Sequence, residues 1–135
     1  MNKKELEERT KRFSLDVIRF LEGLPKNYLG EVMGRQLLRS ASSVGANYRE
    51  ANRGESRADF IHKISLAEKE AGESLYWLEL MQEAGLGASA KCQELLREAD
   101  ELVAIFTSIG KSTRRNTLLA KSKIQNPKSQ IPNQS

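Results

Sequence analysis

The chain has 135 residues, with one histidine and one cysteine, and its 22 Lys and Arg against 18 Asp and Glu leave a net charge of +4. That length supports one domain with its own core, without disulfide or metal staples. A single cysteine excludes an intramolecular disulfide, and no apolar run approaches the ~20 residues that cross a bilayer. Met1–Arg12 is too charged for a secretory leader, so a cytoplasmic protein is expected.

Charge is spread unevenly. Residues 25–53 carry five basic and two acidic side chains, residues 54–88 three basic and seven acidic, and residues 117–135 three lysines and no acid. Neighbouring basic and acidic segments can neutralise one another, or the basic ones can serve a polyanion.

A first helix is predicted over 3–24, with Phe13, Val17, Phe20, Leu21 and Leu24 in one apolar stripe and Leu6 beginning it. Gly23, Pro25 and Asn27 end it. A second helix is predicted over 28–53. Leu37, Ala41, Val44 and Tyr48 form its apolar face, and Gly34, Leu38 and Gly45 one flank. Its glycines, at about 1 kcal/mol each relative to alanine, imply close approach of another helix. Gly54 ends it, and Ser56 caps a third helix over 57–84, with Asp59 in a capping-box-like position.

The third helix carries Phe60, Ile64, Ala67, Ala71, Leu75, Leu78 and Met81 as its inner stripe. Leu66, Tyr76, Trp77 and Leu80 form a second apolar group, a candidate subunit interface. After Gly85 and Gly87 a fourth helix runs from an N-cap at Ser89 to about Ser112, on Leu95, Ala99, Leu102, Phe106 and Ile109. Cys92 reads as a small buried apolar residue rather than a reactive thiol. From Asn116 the pattern dissolves. The prediction is an all-α, antiparallel up-down-up-down four-helix bundle over 1–116 and a disordered basic tail over 117–135.

The strongest functional candidate is the arginine face of the second helix: Arg35, Arg39, Arg49 and Arg53, with Ser42 and Ala46 between them. Guanidinium groups along one side of a helix suit phosphate oxygens or an acidic partner. Equally, they suit a neighbouring subunit, or a plain solvated face, or one salt-bridged to Glu68, Glu70 and Glu73. Gln36, Ser40, Ser43 and Asn47 line the other flank, where helix-to-helix hydrogen bonds are expected. Catalytic patterns are sparse: there is no Glu-x-x-His pair, no His/Cys cluster for zinc and no nucleophile elbow. A non-enzymatic protein without cofactor or metal is expected. The one exception weighed is Arg57-x4-His62, which resembles the signature of HEPN-type ribonucleases, where an imidazole base and an arginine would act on a ribose phosphate.

From Gln36-Leu37-Leu38-Arg39-Ser40 through Ser43, Asn47 and Glu50, with Pro25 before and Phe60 after, the chain resembles the four-helix-bundle family of 23S rRNA intervening-sequence proteins. The segment Lys69–Leu80 resembles one common subgroup, whereas Tyr48-Arg49 replaces a frequent Ile-Ala. The resemblance marks Gln36, Ser43, Asn47 and Glu50 as family-motif polar residues and implies a ring-shaped homopentamer. It extends to the accessory variability protein of diversity-generating retroelements, which implies RNA or a nucleoprotein as partner. A purely structural, scaffolding oligomer is the alternative.

Overall fold

The computed structural model describes residues 1–125, and no strand occurs among them. Four helices follow one another: α1 (Lys3–Glu22), α2 (Tyr28–Arg53), α3 (Arg57–Ala84) and α4 (Ser89–Gln125). Consecutive helices pack together and α1 closes the bundle on α4, while the backbones of the diagonal pairs stay apart. The cross-helix contacts fix the directions. Thr10 meets Gly45 and Leu21 meets Gly34. Ser40 meets Ser74, and Glu50 meets Lys63. Cys92 meets Leu78, and Gly110 meets Ile64. At each seam later residues of one helix face earlier residues of the next, so the bundle is antiparallel and up-down-up-down. No helix among the described residues is long and apolar enough to cross a membrane.

Local chemistry sets most helix ends. Asn2 caps α1, with the Glu5 N–H donating to its Oδ1 at 2.8 Å, and Asn27 caps α2 through the Gly30 N–H at 3.0 Å. Ser56 caps α3 as predicted, accepting from the Asp59 N–H at 3.1 Å. Gly85 closes α3 in the left-handed region, at φ 71°. Ser89 differs from expectation. It is the first residue of α4, the Ala88 carbonyl accepts the Cys92 N–H, and the Ser89 hydroxyl accepts the Gln82 side-chain amide at 2.9 Å.

The core is the predicted stripes brought together: Phe13, Val17 and Phe20 from α1, Leu37, Ala41, Val44 and Tyr48 from α2, Ile64, Ala67, Ala71, Leu78 and Met81 from α3, and Leu95, Ala99, Leu102 and Phe106 from α4. Tyr48 and Phe106 stack with tilted rings 5.5 Å apart, tying α2 to α4 across the centre. The α1–α2 seam is tight because α2 presents little side chain there. A Cβ on Gly45 would stand 3.2 Å from Thr10 Oγ1, and one on Gly30 would collide with the Pro25 carbonyl. Thr10 itself is fully buried, and its hydroxyl sits 3.0 Å from the Leu6 and Glu7 carbonyls.

The fourth helix departs from the sequence reading. It continues to Gln125, so residues 117–125, placed in a disordered tail, are helical. Residues 126–135 lie outside the described residues. The apolar pattern fades because α4 outruns α1. Arg9 pairs with Glu98, and α1 begins only about six residues before Arg9, so α4 beyond about Thr107 has no α1 beside it. Helix-favouring Arg, Leu, Ala and Lys sustain the helix there, and the Thr113 and Thr117 hydroxyls donate back to the carbonyls four residues earlier at 2.8 and 2.9 Å.

Candidate nucleic-acid interface

All four arginines of α2 are exposed, but they do not share one environment. Arg39 turns toward α3, its Nη1 3.4 Å from Glu70 Oε1, and it also forms an ion pair with Glu73. Its charge is therefore locally neutralised. Arg35, Arg49 and Arg53 make no ion pair among the described residues. Arg49 rims a groove of about 310 Å³ at the α1–α2 seam, with Lys11 and Glu7 on the facing helix and the Ser14 and Ser42 hydroxyls inside. Arg35 rims a second groove of about 780 Å³ at the other end of that seam, beside Leu21, Gly34 and Leu38.

Between the two grooves the surface is apolar. Leu15, Ile18 and Leu38 are 41%, 42% and 39% exposed. The Ser14–Ala41 hydrogen bond and the Leu21–Gly34 contact put Ile18 level with Leu38 across the seam. The outer face of α1 and α2 thus has an apolar middle with Arg35 at one end and Lys11 and Arg49 at the other.

The polar flank of α2 lies against α3. Ser40 is buried, and Ser74 Oγ stands 2.8 Å from its hydroxyl, the one side-chain hydrogen bond from this flank to another helix among the described residues. Ser43 and Asn47 are half-buried and donate to the carbonyls of Arg39 and Ser43 within α2. Gln36 is half-buried. Glu50 pairs with Lys63 at 2.7 Å, and that hydrogen bond holds its carboxyl below the usual range, with Arg53 adding to the effect.

The second apolar group of α3 is not one patch. Trp77 packs on the edge of the core, Leu66 and Leu80 are half-buried, and Tyr76 points outward at 55% exposure with its ring edge-on to Trp77. A helix flank beside a neighbour is half-covered already, which a wheel drawn for one helix does not reveal.

Arg57 and His62 are exposed and line one open groove of about 580 Å³ between the start of α3 and the end of α4, with Thr117 and Lys121 opposite. Apolar spacing predicts no helix on that far side, beyond about Ser112. The available signal was charge: no acid follows Glu101, while Lys111, Arg114, Arg115, Lys121 and Lys123 all do.

With this geometry in hand, known proteins bear on it. A family model described as 23S rRNA-intervening sequence protein matches residues 3–108. A crystal structure of a protein of unknown function from the S23 ribosomal protein family of Bacteroides thetaiotaomicron is similar, with 32% identity and a TM-score of 0.74, covering 82% of this chain and 99% of that one. No curated protein matches the chain.

Proposed function

The chain belongs to the family of 23S rRNA-intervening sequence proteins, and we propose that it is a non-enzymatic, homo-oligomeric helical bundle that binds RNA, or a nucleoprotein, through the cations of α2. One observation carries this reading: Arg35, Arg49 and Arg53 stand exposed on α2 and form no ion pair among the described residues, while Arg39 is paired with Glu70 and Glu73. An unpaired guanidinium keeps its donors for phosphate oxygens. The oligomer is supported by the apolar strip Leu15, Ile18 and Leu38 on the α1–α2 face and, as to a pentamer, by the resemblance in the Gln36–Glu50 motif.

RNA binding at low salt should weaken steeply as salt rises. An Arg35→Glu/Arg49→Glu variant that keeps its fold and particle mass should bind at least tenfold more weakly. Unchanged affinity in that variant would sink the reading. Particle mass before and after nuclease treatment reports oligomer size and co-purifying RNA together. No chemistry is assigned to Arg57 and His62: wild type and His62→Ala should degrade labelled RNA at the same background rate.

A further inference from the structure

We propose that the last third of α4, with the groove it forms against the start of α3, is a binding surface for single-stranded nucleic acid, distinct from the α2 arginines. The inference rests on the nucleic-acid reading above and assigns a contact to a different part of the molecule. From Lys111 to Lys123, α4 carries Lys111, Arg114, Arg115, Lys121 and Lys123, all exposed and none ion-paired among the described residues. The preceding part of the same helix is different, with Glu94, Glu98, Asp100 and Glu101 against Lys91 and Arg97.

Helix stability does not account for this run. Cations near a helix C-terminus complement its dipole only within the last turn, which covers Lys123. Lys111, Arg114 and Arg115 lie well before it, and like charges three and four residues apart repel. A polyanion relieves that repulsion. Lys111 to Lys123 spans about 18 Å of helix axis, room for several consecutive phosphates.

The groove narrows the class of polyanion. It measures about 580 Å³, with Ala58 and Ile61 as apolar lining, the His62 imidazole beside them, and Arg57 and Lys121 for phosphate. An unpaired base fits an apolar slot with a ring beside it, and every base has a face to offer. In a duplex the bases stay stacked inside and leave the slot empty. An acidic peptide would satisfy the cations and leave it empty as well.

The test uses the full chain and a fluorescent twelve-nucleotide oligouridylate at low salt, read by anisotropy. Replacing Lys111, Arg114, Arg115 and Lys121 by Gln should weaken binding at least tenfold and lower the salt slope by about 3, at roughly 0.7 per lost single-strand phosphate contact. Circular dichroism checks the fold, and Arg114→Gln/Arg115→Gln, a milder change on exposed positions, should lower the slope by about 1.4. An abasic strand of the same length, and a duplex, should each bind severalfold more weakly than the oligouridylate. If the four-site variant binds as wild type does while Arg35→Glu/Arg49→Glu fails, the inference falls and the α2 reading stands. If wild type binds no nucleic acid, both fall. Equal affinity for the abasic strand or the duplex, or for polyglutamate, overturns the single-strand assignment.

Discussion

At residue scale, Gly72 and Gly87 answer a methyl group in opposite ways. Gly72 sits inside α3 with open space where a Cβ would go. Gly72→Ala should therefore stabilise the protein by about 0.5–1 kcal/mol through helix propensity alone, read as a higher urea midpoint with unchanged slope. Gly87 has φ 81°, and a Cβ there would stand 2.7 Å from Phe20 Cζ. Gly87→Ala should destabilise by about 1–3 kcal/mol, from backbone strain and displacement of a core ring. Cys92 gives a pH effect. It is fully buried, its Sγ lies 3.4 Å from the Leu78 carbonyl, and burial pushes its thiol above the ordinary 9.0. The unfolded chain thus ionises first. The stability tied to this proton is complete below pH 9 and falls as pH rises beyond it. Melting curves from pH 7 to 10 should slope downward at the alkaline end, less so in Cys92→Ala, and a thiol reagent at pH 8 should label wild type only as it unfolds.

At the scale of elements, α1 is held least. Its seam with α4 is the sparsest of the four. Arg9 fastens it, with Nε 2.7 Å from Glu98 Oε2, Nη2 2.7 Å from Glu98 Oε1 and Nη2 3.4 Å from Glu101. A two-pronged pair in this half-buried place outweighs an exposed one. Arg9→Ala should cost about 1–2 kcal/mol, and amide exchange should rise first in α1. The bounds of α2 and α3 were legible because Ser56, Gly54 and Gly85 are local signals and the apolar spacing is regular. The second half of α4 was not. Its stability comes from propensity, threonine back-bonds and company from α3 alone, none of which writes an apolar stripe. The same limit applied to the site. The α2 arginine stripe was visible as a stripe, but the departure of Arg39 toward Glu70 and Glu73 depends on which helix lies beside it. The groove at Arg57 and His62 depends on a helix that periodicity did not predict.

At the scale of the whole molecule, the function proposed above requires contact between copies and contact with phosphate to share two surfaces. The α1–α2 face has an apolar middle in Leu15, Ile18 and Leu38 with Lys11, Arg35 and Arg49 toward its ends, the arrangement of a protein interface with a dry centre and a polar rim. Among its described side chains, the α4 arm has Leu118 and Leu119 as large exposed apolar groups amid five cations. If the apolar middle of the α1–α2 face joins copies, Ile18→Glu/Leu38→Glu should reduce the particle to the mass of one chain in light scattering, with helix content unchanged because both side chains already meet solvent. Nucleic-acid affinity should fall in the same variant without loss of any cation, since several copies on one strand bind far more tightly than one, and the loss should shrink for strands too short to reach two copies. An intact particle in that variant would turn the search to α3, where Tyr76 is the exposed member of its apolar group and Tyr76→Glu the decisive change. An intact particle that nevertheless lost the long strand would mean that Ile18 and Leu38 themselves meet the nucleic acid, beside the Arg35 and Arg49 contacts proposed above.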